Sequence, residues 1–316
     1  MTTTLPAAAT REALGPTLVR LQHQGADIVV VDADLGKSTS ARTFRDAFPE
    51  RFFTFGVAEQ NMISAAGGLA TLGHTVFAST FAVFAEHAFD QLRMSIAQPR
   101  LNVKLVASHG GVSTGEDGAS AQSIEDFALF SSLVNVTVCV PADVVEAQAM
   151  VEAAVANPGP WYIRTGRPKI PVIYTDGPRF QLGRADMLRD GSDLTIVACG
   201  LLVERSLRAA EALERSGITA RVLNMGTIRP LDVAALQDAA RDTGAIVVAE
   251  EHLTHSGLGA MCAQALAATT QPVPMEFVGV QNRYGESGTW DEVLEIMGLT
   301  AAGVEQAARR VVARKR

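Results

Sequence analysis

FGVAEQNMISAAGGLATLG, residues 55–73, carries a strand into a helix. The aromatic and β-branched run FFTFGV (52–57) ends at Val57, and a helical pattern opens near Glu59. Met62, Ala65, Ala66 and Leu69 recur at helical spacing and form one apolar face. Ala65, Ala66, Gly67 and Gly68 are small, so another backbone can come close there. A strand passing into a helix is the repeating unit of an α/β fold. Such folds place ligands at the carboxyl ends of their strands, and Glu59 stands at that junction. An acid in a first helical turn also complements the helix dipole, and spacing alone favours that plainer reading.

The same rhythm extends outward from this segment. Strand candidates are DIVVVDAD (27–34), TVFAST (75–80), VKLVAS (103–108), VTVCV (136–140) and WYIR (161–164). Helical patterns lie near 8–24, 59–72, 84–97, 122–133 and 143–156. Pro168, Pro171 and Pro178, with Gly166 and Gly177, mark a linker over about 166–190. Beyond it come TIVACG, ARVLNM, AIVVAEE and MEFVGV as strands, with helices near 201–216, 231–242, 290–297 and 301–314 and at GLGAMCAQALA. The sequence therefore predicts two doubly wound α/β domains, 1–175 and 191–316, the second the smaller.

Composition agrees. A chain of 316 residues is more than one core usually holds. With 47% apolar and 19% charged residues it can bury a large core. A net charge of -7 speaks against nucleic acid or an anionic membrane as partner. The basic tail, Arg309, Arg310, Arg314, Lys315 and Arg316, suits the end of a last helix. Cys139, Cys199 and Cys262 are odd in number and far apart, as expected of buried small hydrophobes in a reducing compartment. No signal-peptide pattern opens the chain and no apolar stretch is long enough to span a bilayer. The expected location is cytoplasmic.

Three segments carry chemistry. GVAEQNM, followed by TFAVFAEHAFDQLRMS (80–95), resembles the pyrimidine-binding domain of the transketolase family. The resemblance implies a thiamine-diphosphate enzyme in which Glu59 contacts N1′ of the aminopyrimidine and so activates the cofactor. It also implies that Phe81 and Phe84 stack on that ring. From spacing alone these two phenylalanines share a helical face and would pass for core. His87 stands where the family often has tyrosine. SHGGVSTGEDGASAQSIED (108–126) is similar to the family's substrate loop. There His109 matches a residue that helps hold the substrate phosphate, and Asp117 one that reads the donor hydroxyl. Alone, Asp117 would be a turn residue and His109 a satisfied polar side chain. Arg11, Ser38 and Arg164 match phosphate anchors, and arginine's planar fork suits that work. Singly, their plainer readings are surface ion pairs and a turn serine. Ala121 replaces a histidine or glutamine frequent in the family, so part of the usual sugar contact is missing.

The GDG…N segment that holds Mg2+ and the diphosphate in this superfamily is not found here, since no GDG tripeptide occurs. His252 and His255 in EEHLTH are three apart and make a poor metal site. The resemblance therefore implies an N-terminal transketolase subunit as partner, supplying the diphosphate and Mg2+ site, in a dimer of heterodimers acting on sugar phosphates. GTIRPLD (226–232) and EEHLTHSGLGA (250–260) are more loosely similar to the family's C-terminal domain, which usually serves assembly. Three other readings stay open on sequence: the beta subunit of a 2-oxoacid dehydrogenase decarboxylase, a relative of deoxyxylulose-phosphate synthase, and a catalytically silent scaffold subunit.

Overall fold

The computed structural model describes residues 6–268 and 272–315. Arg316 of the basic tail lies outside the described residues. Two sheets organise the chain. The larger has seven strands in the order Thr227–Arg229, Thr137–Cys139, Trp161–Arg164, Val103–Ser108, Thr75–Phe81, Ile28–Asp32, Phe52–Thr54. Six of these run parallel, and Thr227–Arg229 joins antiparallel at one edge. The smaller sheet has five, in the order Met275–Val280, Ile246–Leu253, Leu194–Ala198, Ala220–Asn224, Asp186–Arg189, the last antiparallel. Both sheets are α/β and rich in parallel pairs, as the sequence predicts.

The central parallel strands Ile28–Asp32 and Val103–Ser108 are buried along their whole length. That is why they read as continuous β-branched runs instead of alternating ones. From Ile28–Asp32 the chain steps out to Phe52–Thr54, then returns to Thr75–Phe81 on the other side. This reversal opens a crevice at the strands' carboxyl ends, where doubly wound folds bind ligands.

Three expectations change. The stretch 84–97 is not one helix: Ala82–Ala85, Glu86–Ala88, Phe89–Gln91 and the wide-turned Leu92–Ala97 follow one another with different winding. The linker is structured in two places. Lys169–Pro171 pairs antiparallel with Ala7–Ala9, and Asp186–Arg189 is an edge strand. Asp143 explains the anchoring between them. It caps the helix Val144–Ala156 through the Glu146 amide at 2.8 Å and also accepts the Ile173 and Tyr174 amides at 2.7 and 2.8 Å. Finally, TIR of GTIRPLD sits on the first sheet, beside Thr137–Cys139. An apolar cluster continues from Phe130, Val138 and Tyr162 into Val197, Leu223 and Leu236, so the two sheets share a core.

Cys139, Cys199 and Cys262 are free and buried. In the tail, Arg310 and Arg314 pair with Glu276, and Arg309 with Glu305. Among the described residues no helix is long and apolar enough to cross a membrane.

Candidate functional site

Every sequence-derived site residue lies at or after the carboxyl end of a strand of the first sheet, or in the first described helical turn. Glu59 opens the helix Glu59–Thr71, whose N-cap position, Ala58, offers no side-chain cap. The Glu59 carboxylate does not fold back to take over that role. Among the described residues it accepts no hydrogen bond, is 5% exposed, and has His87 Nδ1 at 3.7 Å from Oε2. An acid that uses neither oxygen inside the protein is free to meet a ligand's hydrogen-bonding group.

Beside it stands a column of rings. Phe81 ends the strand Thr75–Phe81, and Phe84 lies one turn on. Their rings stack at 5.6 Å with planes 10° apart. His109 stacks on Phe81 at 3.7 Å, and His87 tilts against Phe84 at 5.9 Å. His87 is the exposed end of the column, at 63%. The carboxylate and the flat apolar faces together suit a planar heterocycle bearing a hydrogen-bonding ring nitrogen.

A second group gathers where Arg11, Ser38 and His109 meet. Arg11 Nη1 donates to the Ser38 carbonyl at 2.6 Å, while its Nε is buried with no acceptor. Burial holds the Arg11 guanidinium below its usual pKa, opposed by the charge of Glu12 and aided in smaller part by that of Arg167. His109 has a left-handed backbone and an Nδ1 paired with Ser108 Oγ at 2.8 Å. Burial first, then Arg11 and Arg167, push its pKa down to about 3, so the imidazole is neutral. Two guanidiniums, one with an unfilled donor, and a neutral imidazole form a basis for anion binding.

Arg164 stands apart from this group, inside the protein. Arg164 is 4% exposed, and Nε lies 3.4 Å from Asp126. Its Nη2 donates to the Ser123 and Glu251 carbonyls at 3.0 Å each, and its face covers Phe127 at 4.5 Å. Through these contacts Arg164 joins the two domains. Three residues on, Arg167 lies close enough for its charge to act on both Arg11 and His109. It is one-third exposed, donates to Glu116 at 2.8 Å and to the Thr114 carbonyl, and lies 3.6 Å from Asp117. The signal was in the sequence: the strand Trp161–Arg164 is buried at every position, whereas TGRP (165–168) follows its end.

Asp117 is 41% exposed on a loop of tight turns, Val112–Asp117, flanked by glycines with left-handed backbones. Ala121 is half-buried and contributes no polar group. Glu86, missed by the sequence reading, accepts from Ser123 Oγ at 2.7 Å and is pushed up to about 7, chiefly by burial. His252 is buried, stacked on Phe127 at 4.7 Å, and pushed down to about 4 by burial; His255 is exposed. Among the described residues no group of three or more histidines, cysteines or acids could hold a metal.

Comparison with known proteins fits this geometry. Residues 6–172 match the transketolase pyrimidine-binding domain and residues 183–304 the transketolase C-terminal domain. The chain belongs to the transketolase family. A split-gene transketolase, solved as an inactive beta4 tetramer, is 45% identical with a TM-score of 0.89, over 98% of this chain and 100% of that one. A 6-deoxy-6-sulfo-D-fructose transketolase subunit of a Clostridium species is 39% identical over 91% of this chain and 89% of its own length. Human transketolase is 38% identical over 96% of this chain, which spans only 49% of the human enzyme. The transketolase resemblance read from GVAEQNM and the GEDG loop is therefore borne out, and the family brings thiamine diphosphate with it.

Proposed function

We propose that this chain is the small subunit of a split transketolase, contributing the aminopyrimidine and substrate sides of a site shared with a second chain. That partner, an N-terminal transketolase subunit, would carry the diphosphate and Mg2+ ligands. The observation that supports this best is Glu59: buried, without a hydrogen bond, and set beside the Phe81–Phe84 stack. These residues fit the pyrimidine half of thiamine diphosphate. The cofactor, when bound, supplies a nucleophilic carbon that carries a two-carbon ketol unit from a ketose phosphate to an aldehyde. Glu59 shares a proton with the ring nitrogen and so tunes the base that activates that carbon. Phe81 and Phe84 hold the ring plane and keep water from it, and His87 closes the exposed end. Asp117 accepts from a donor hydroxyl. Arg11, Arg167, His109 and the Ser38 turn hold the phosphate, the neutral His109 as a hydrogen-bond donor and the arginines as charges. In the assembled enzyme two such pairs form a dimer of heterodimers.

The test is calorimetric titration of thiamine diphosphate and Mg2+ into the chain alone and into its mixture with the partner. Binding in the mixture only, with ketol transfer abolished by Glu59→Ala and assembly intact, is the expected result. Tight binding to the isolated chain, or full activity in the Glu59→Ala mixture, would reject the shared site.

A further inference from the structure

The C-terminal domain grips the loop that bears Asp117. The strand Met275–Val280 leads into an exposed segment, 281–289, which lies against residues 112–122 of the first domain. Gln122 is 3% exposed, and its Nε2 donates both to the Glu286 carbonyl at 2.9 Å and to the Val112 carbonyl at 3.2 Å. One amide thus ties the start of the loop to its end and to the other domain. The fit is close: a Cβ on Gly285 would stand 1.7 Å from Gln122 Oε1, and one on Gly118 would stand 2.4 Å from Ser287 Oγ. From the second sheet, Glu251 accepts the Ser113 amide at 2.5 Å. Apolar packing holds only the two ends, Val112 and Ile124, which join the second domain's core. Between them the loop is placed by hydrogen bonds and backbone contact, while among the described residues Asp117 itself has only Arg167, at 3.6 Å.

We propose that Gln122 and the segment 281–289 position Asp117, so that the C-terminal domain takes part in choosing the ketose donor. This rests on the reading of Asp117 as the residue that meets the donor hydroxyl. The domain then has a role in specificity beside assembly. A hydrogen bond to a charged acceptor is strong only when its geometry is held, and a loop free to shift would lose discrimination between donor epimers.

Two variants test it from opposite sides. Gln122→Met keeps the volume and removes both hydrogen bonds. Gly285→Ala leaves the first domain untouched and pushes the segment off Gln122. In each, hydrogen exchange of the amides 113–121 in the chain should accelerate. In the mixture with the partner, kcat/KM for the preferred donor should fall about tenfold relative to its epimer, the size of one well-placed hydrogen bond. Inhibition by inorganic phosphate, which reports the arginines, should stay within twofold (about the scatter of such values). Faster exchange with unchanged epimer preference would overturn the proposal, as would unchanged exchange in both variants. Exchange is read on the chain itself, so absent ketol transfer in the wild-type mixture would reject the transketolase assignment and leave the grip on the loop still decided.

Discussion

Arg164→Ala and Arg167→Ala should behave as opposites. Arg164 is 4% exposed and faces Asp126, which is fully buried. Truncation leaves the Ser123 and Glu251 carbonyls without their 3.0 Å donor and uncovers the Phe127 ring. Removing one partner of a buried ion pair costs about 3–5 kcal/mol. Asp126 keeps the Tyr162 hydroxyl at 2.6 Å, which places the cost near the lower end. At about 2–4 °C per kcal/mol for domains of this size, the melting temperature should drop by about 6–12 °C. Arg167 is 33% exposed and pairs with Glu116 and Asp117, themselves 58% and 41% exposed. Surface pairs of that kind contribute at most about 1 kcal/mol, so its loss should move melting by no more than about 4 °C. In catalysis the order reverses. Arg167→Ala removes a charge-assisted contact of about 1.5–3 kcal/mol and should raise KM for phosphorylated donors by about ten- to a hundredfold, sparing unphosphorylated ones. Differential scanning calorimetry and donor kinetics decide together. An Arg164→Ala chain that melts with the wild type yet loses phosphorylated donors would refute the assignment.

Other consequences can be checked with the same material. Phe84→Leu removes the ring stacked 5.6 Å from Phe81 and should weaken cofactor binding by the mixture about three- to tenfold in calorimetry, with little change in melting. His87→Tyr alters a side chain that is 63% exposed and should leave melting within about 1 °C while cofactor affinity is kept or improved. Stability should also follow pH in a definite sense. Burial raises the carboxyls of Glu146 and Glu250 from 4.5 to about 7, so the folded chain keeps protons there that the unfolded chain has released, and stability grows as pH falls through 7. His109 and His252, lowered from 6.5 to about 3 and about 4, act in reverse, because below 6.5 the unfolded chain takes up protons the folded one refuses. Lys104, lowered by burial from 10.5 to about 7, opposes the carboxyls above pH 7, so melting temperature should rise from about pH 7 to about pH 6.5 and decline below about pH 4.5; a steady fall from pH 7 downward would show that burial does not hold these carboxyls protonated.

How far the sequence could be read depended on whether a feature is local. The strand Ile28–Asp32 and the helices Glu59–Thr71 and Trp290–Met297 lie where β-branched runs and 3.6-residue spacing put them, because burial on both sides or on one stripe writes itself into neighbouring residues. The edge strands Thr227–Arg229 and Asp186–Arg189 were not legible. Three or four residues carry no period, and what makes them strands is a distant partner, Thr137–Cys139 in one case and Ala220–Asn224 in the other.

The site divides in the same way. Glu59, Phe81, Phe84 and His109 sit in contiguous motifs, and the structure brings them together. Arg164 and Arg167 differ by three positions at the end of Trp161–Arg164, and chemistry alone cannot separate two arginines. Geometry can. The last residue of a central strand still lies between layers, so a charge there must find partners inside the protein, as Arg164 finds Asp126. The first arginine past the strand is free to reach the crevice, as Arg167 does. A cation meant for a ligand is therefore expected beyond the strand's end, and one meant for domain assembly within it.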